Sequence, residues 1–259
     1  MEKLARQLFE AELQRRNVAF SIDEESGRHL LEKDGYKTLV SLENVTRELG
    51  QGEDEERMAR FVDVIMTSVG ERKNHWRIDQ LYWVLEPNDY EEKATYRKEI
   101  SDQVDCVLVH YDADAGRITW VTADMLEALG LSLEQASAAA RGNLGVELAA
   151  VGVETSDMQG VTLAMLPSYL PFKSSLILAP NLKKVLGEKV GWPLLAVAPV
   201  RDFVYLWPAE HLDFAGRVGK VVVREYQNSS YPISTEVFRI DDEGIEAIGA
   251  FPVERPAAE

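Results

Sequence analysis

The stretch VLVHYDADAGRITWVTADMLEALGLSLEQASAAARGNL, residues 107 to 144, sets the architecture. The β-branched, apolar run from 104 to 111 and the run from 117 to 121 read as two strands, joined over Asp112-Ala113-Asp114-Ala115-Gly116, which is turn chemistry. A helix is predicted over 123 to 129. A second, over 133 to 144, opens with Ser132 three residues before Gln135, the spacing of a capping box. A hairpin feeding directly into helices describes an α+β chain with an antiparallel sheet. Strands are expected to return at 147 to 154 and 161 to 166.

Upstream, Leu4, Leu8 and Ala11 form one helical stripe with Ala5, Phe9 and Leu13 beside it, an amphipathic helix over 2 to 16. Runs at 18 to 22, 29 to 32 and 37 to 42 are separated by Glu25-Ser26-Gly27 and Asp34-Gly35, which predicts a small antiparallel meander. A second helix starts on the acidic residues Glu53 to Glu56, carries Met58, Phe61, Val62, Ile65, Met66 and Val69 at helical spacing, and stops at Gly70. All prolines but Pro87 lie beyond residue 160. With the polar turn Pro87-Asn88-Asp89 and the charges from Glu91 to Lys98, this places a boundary between an N-terminal α+β subdomain, 1 to 95, and a C-terminal domain, 96 to 259.

A faint repeat runs through the C-terminal part. Residues 118 to 126 lie over 204 to 212 with a constant offset of 204 − 118 = 86, and Gly130 then falls on Gly216. Each copy gives a strand, a turn residue, an acidic group (Asp124 or Glu210) near a helix start, and a leucine, and each follows another apolar strand. The expectation is a larger antiparallel sheet with two duplicated β-β-α units, about 104 to 166 and 175 to 250; coincidence of a common motif is the alternative.

Composition narrows the function classes. The chain has 259 residues, 46% of them hydrophobic, so it can bury a core without metal or disulfide. Lys and Arg number 28 against 44 Asp and Glu, a formal net charge of −16, which argues against nucleic acid. Cys106 is the single cysteine, so no intramolecular disulfide and no paired-cysteine metal site can form, and the compartment expected is reducing. The N-terminus alternates charged and apolar residues, unlike a secretory signal, and no apolar run approaches the roughly 18 residues of a membrane span. A cytoplasmic location without membrane contact is expected.

Catalytic constellations are sparse. Cys106 and His110 share a strand face but sit about 13 Å apart at about 3.3 Å per residue, too far for a thiol and its base. Asp112, Asp114 and Gly116 begin like a calcium loop, which fails at Gly116, Arg117 and Ala123. His29, His75, His110 and His211 are scattered, so no metal site is predicted. P-loop, dinucleotide and nucleophile-elbow motifs are absent and no cofactor is expected. The aromatic stretches offer Trp76, Tyr82, Trp83, Tyr205 and Trp207 as a recognition surface, since Trp and Tyr dominate binding hot spots; core packing is the competing reading.

Residues 107 to 144, LILAPNLKKVLGEKVGWPLLAVAPVRDFVYLWPAEH from 176 to 211, and FRIDDEGIEAI from 238 to 248 resemble, in that order, the YtpQ-like bacterial proteins, domain-of-unknown-function family 1444. The resemblance covers roughly residues 100 to 250 and is one of layout only before that. It implies a cytosolic bacterial protein and brings no catalytic residue. The leading expectation is therefore a non-enzymatic protein-binding or adaptor module. The alternative is a carboxylate-dependent hydrolase or transferase in a cleft between the two units, with Asp112, Asp114, Asp202 and Glu210 as its acids. A third reading, neutralisation of a basic toxin, rests on the negative charge.

Overall fold

The structure is a computed structural model that describes residues 2–23, 27–33, 36–41, 45–46, 55–70, 76–90, 93–114 and 116–253. The chain divides into two compact units, 1–75 and 76–259. The predicted turn residues Glu25, Ser26, Asp34 and Gly35, the acids Glu53 and Asp54, and His75 lie outside the described residues.

The first unit follows its hydrophobic pattern. Helix α1 (Glu2–Arg15) precedes strands β1 (Ala19–Ile22), β2 (His29–Lys33) and β3 (Tyr36–Val40), an antiparallel meander in chain order, and helix α2 (Glu55–Gly70) closes it. Ala5, Phe9 and Leu13 of α1 meet Met58, Val62 and Met66 of α2 over Leu31. The helix pair is also stapled by Arg16, which bonds Asp63 and donates from Nη2 to the Ala59 carbonyl at 2.8 Å.

The second unit contains two antiparallel sheets. In one, β4 (Leu81–Pro87) pairs along its whole length with β6 (Val104–Asp112), whose other side takes β5 (Arg97–Glu99) and β7 (Arg117–Trp120). Helices α3 (Ala123–Leu129) and α4 (Leu133–Val151) follow. The second sheet has six strands. In spatial order they are β13 (Ile245–Ala250), β12 (Glu236–Ile240), β10 (Leu194–Val200), β11 (Phe203–Pro208), β9 (Thr162–Met165) and β8 (Glu154–Asp157). Short helix α5 (Leu182–Leu186) precedes β10, and a 3-10 turn (Ala209–Phe214) leads from β11 into α6 (Ala215–Asn228).

Alternation along the strands builds three hydrophobic layers. Leu81, Trp83 and Leu85 of β4, Cys106 and Leu108 of β6, and Leu194, Ala196 and Phe238 of the larger sheet share one core with α4. The outer face of the large sheet, with Leu195, Val197, Trp207 and Val237, is covered by Val218 and Val222 of α6. The outer face of the smaller sheet, with Val84, Val107 and Val109, is covered by Phe172.

Three expectations are corrected. The boundary lies at 75/76 instead of 95, because β4 is pinned to β6 from Leu81↔His110 to Pro87↔Val104. The segment 147 to 151 is helical, because Leu148 continues the fully buried stripe Ala136, Ala140, Leu144 at fourfold spacing; Gly152, at φ 71°, ends the helix and β8 starts at Glu154. The hairpins of the suspected repeat sit in two different sheets. Both run hairpin-then-helix, and Asp124 and Glu210 both stand in the first turn that follows. The strand pair after the first hairpin, β8–β9, nevertheless joins β11 of the second, so the copies are not closed equivalents. The Ser132–Gln135 capping box is formed, with reciprocal bonds of 2.9 and 3.2 Å.

Candidate functional site

Most of the singled-out aromatics build cores. Trp83 is buried, donating from Nε1 to Ser137 Oγ at 3.1 Å with Lys98 Nζ 4.9 Å above its ring. Trp76 is half-buried against the same core. Tyr82 packs on Phe172, ring centres 5.3 Å apart, and burial raises its pKa. Tyr205 is half-buried edge-on to Phe203 at 4.3 Å and its pKa is likewise raised by burial. Trp207 is fully buried. Its Nε1 donates to the His211 carbonyl at 3.0 Å, which anchors the 3-10 turn that follows.

The four candidate acids do not converge. Asp112 ends β6, 3.9 Å from Arg117, and exposed Asp114 sits in the β6–β7 turn. Asp202, exposed, is in the β10–β11 turn, whose Arg201 reaches Glu86; Glu86 pairs with Asp105, seven residues along β6 from Asp112, about 23 Å at ~3.3 Å per residue. The two turns therefore lie at opposite ends of the smaller sheet and enclose no shared cleft. Exposed Glu210 stands at the other end of β11 from Asp202.

Cys106 and His110 do lie on one face of β6, with the thiol pushed up to about 12 by burial, which makes it a weak nucleophile. His110, its pKa lowered by burial, accepts the Arg77 backbone N–H at 3.3 Å. Among the described residues, no group of three or more His, Cys, Asp or Glu is placed to hold a metal ion, and no helix is long and apolar enough to cross a membrane.

The carboxylates that are buried among the described residues, Glu86, Asp105 and Glu236, form a polar seam. Arg201 Nη2 lies 2.6 and 2.8 Å from the Glu86 oxygens, and Tyr90 Oη donates to Glu86 at 3.2 Å. Burial works to lower the Arg201 pKa, but the adjacent Glu86 carboxylate outweighs it and the net shift is upward. Arg97 bonds Asp105 at 2.6 Å, and Ser101 Oγ donates to Glu236 at 2.6 Å. These groups are satisfied by one another and tie β4 and the 101–105 segment to the large sheet.

An open concave surface among the described residues lies elsewhere, on the outer face of the large sheet. A groove of about 460 Å³ has Leu195 and Val237 as its floor, bounded by Leu212, Ile248 and Phe251, with Arg239 as its charged lining residue. Three local features build it. The 3-10 turn held by Trp207 kinks at His211 (φ −102°, ψ 52°), and Leu212 beyond the kink is 56% exposed. The β12–β13 ladder is bulged between Val237↔Gly249 and Phe238↔Ala247, leaving Ile248 as the extra residue, 41% exposed. Phe251 packs over Gly219 of α6, where a Cβ would come within 2.8 Å of the ring. A second hollow, about 10 Å³ beside Glu86 and Tyr90, is of single-water size.

Comparison of the chain with models of known protein families, with curated proteins and with solved structures found no match.

Proposed function

We propose that this chain is a non-enzymatic binding module that takes a polypeptide segment in the groove between the 3-10 turn and β13. The observation that carries this reading is the pair of exposed aliphatic side chains, Leu212 and Ile248, lining one groove over the buried Leu195 and Val237. Concave apolar surfaces of this kind serve as sites for partner side chains. The scatter of Asp112, Asp114, Asp202 and Glu210 leaves the hydrolase or transferase alternative without a gathered set of acids. A reducing, cytoplasmic setting suits the lone buried thiol of Cys106, and the resemblance to YtpQ-like bacterial proteins suits the same setting.

Peptide display against the folded full-length chain tests the reading. Enriched peptides are expected to bind Leu212→Glu at least tenfold more weakly, while Val146→Glu, at a 71% exposed position on α4, binds them as wild type does. No enrichment, or equal binding to both variants, refutes it.

A further inference from the structure

We infer that the groove and the outer edge of β13 form one site, which takes an extended, basic peptide as an added strand and seats one of its aliphatic side chains between Leu212 and Ile248. This rests on the peptide-binding reading above and adds to it the binding mode and the charge of the ligand.

The mode follows from how unlike the two edges of the six-stranded sheet are. β8, at one edge, is four residues long and begins and ends on carboxylates, Glu154 and Asp157, a common way to discourage a further strand. β13, at the other, has six residues, IEAIGA, with a single charge and neither lysine nor proline. No described strand pairs with its outer side, and Glu246, Ile248, Gly249 and Ala250 are exposed. A row of unpaired backbone N–H and C=O groups there can bond an extended chain, and alternate side chains of that chain then point onto the groove face. Above Gly249 the space is open, since a Cβ built there meets nothing within 4 Å.

The charge of the ligand follows from the rim. Among the described residues, the acids within two positions of the groove lining that are not buried are Glu210, Asp213, Asp241 and Glu246, whereas Glu236, next to Val237, is buried and accepts from Ser101 and Ser234. The nearby cations are Arg217 and Arg239, and each already lies against one of those acids: Arg217 3.6 Å from Asp213, and Arg239 3.1 Å from Asp241. His211 Nε2 lies 3.7 Å from Glu210, and Glu246 stands opposite Arg239 in the β12–β13 ladder, but four acids against two arginines leave the rim at a formal −4 + 2 = −2, on a chain whose formal net charge is −16. Such a rim attracts lysine and arginine and repels acidic segments, including a second copy of this chain.

Three synthetic octapeptides test the inference by fluorescence anisotropy on the full-length chain: KKVLVLKK, its acidic counterpart EEVLVLEE, and KKVPVLKK, whose central proline removes a backbone donor. The basic peptide is expected to bind at least tenfold more tightly than either of the others, to weaken as salt is raised from 50 to 500 mM, and to slow hydrogen exchange of the β13 amides. Ile248→Lys, a substitution at an exposed position, is expected to lose this binding while keeping the wild-type circular dichroism spectrum. Equal binding of the proline peptide overturns strand addition, and equal binding of the acidic peptide overturns the charge assignment; in both cases groove binding that Leu212→Glu abolishes survives. Self-association in sedimentation that Ile248→Lys abolishes, with no peptide binding, makes a second copy the occupant and overturns the inference. Absence of all peptide binding, with display-selected peptides also failing, removes both readings.

Discussion

Arg201 shows how a single buried carboxylate is held in this protein. Its guanidinium holds Glu86, which is 1% exposed, and also packs 4.7 Å over the Tyr231 ring. Removing one member of such a pair strands the other in a low-dielectric site. Arg201→Ala is therefore expected to destabilise the second unit by about 3–5 kcal/mol in urea denaturation, and the double variant Arg201→Met with Glu86→Leu by much less. Equal losses in the two proteins would mean that Glu86 is solvated. The sequence carried half of this message. A lone carboxylate inside LYWVLEP or VDCVLVH signals a buried, partnered acid, but the partner of Glu86 is 115 residues away, beyond any local spacing rule. Trp83 and Trp207 were ambiguous for a related reason: a tryptophan suits a core or a binding surface equally, and only the long-range pairing of its strand decides.

At the scale of elements, helix α1 illustrates how a local cluster makes stability depend on pH. Glu12 receives Arg15 at 2.6 and 2.7 Å and Arg16 at 2.5 Å, and Arg15 foremost, with Arg16, lowers its pKa from 4.5 to about 2 against the opposing effect of burial. A depressed folded-state value means the carboxylate stabilises the first unit above the ordinary carboxylate range and loses that contribution as pH falls from 4.5 towards about 2. Denaturation at pH 5 and pH 2.5 is expected to show a larger loss for wild type than for Glu12→Gln, and an equal loss would place the three side chains apart in solution. Elements with regular period were readable. Phe9 and Leu13, or Val62 and Met66, are set by helical spacing alone. The end of α4 was not, because Glu147 to Glu154 alternates weakly enough to pass for a strand while Leu144 and Leu148 keep the helical stripe. Nor was the bulge at Ile248, which breaks alternation by one residue and depends on the facing Val237 and Phe238.

For the whole molecule, the division after His75 makes a claim about autonomy. The three hydrophobic layers of the second unit draw only on residues beyond 75, and that of the first only on residues before it. Residues 76–259 alone are expected to unfold in one cooperative thermal transition, whereas 96–259, which lacks β4 and its pairing with Val104 to His110, is expected to lose that transition. Cooperative unfolding of the shorter fragment would restore the boundary near 95. Proline distribution and turn chemistry at Pro87-Asn88-Asp89 suggested that later boundary because a hairpin loop and a linker use the same residues. The same interleaving of strands has a consequence during synthesis. The hairpin of β8 and β9 is complete once Met165 is made, yet its sheet partner β11 ends at Pro208, 208 − 165 = 43 residues later. At 5–20 residues per second this is a wait of about 2–9 s. Until β11 is complete Val161 and Leu163 lack the full set of β11 and α6 residues that later cover them, so a nascent chain exposes an adhesive hairpin at the ribosome, and slower translation between residues 166 and 208 prolongs the exposure.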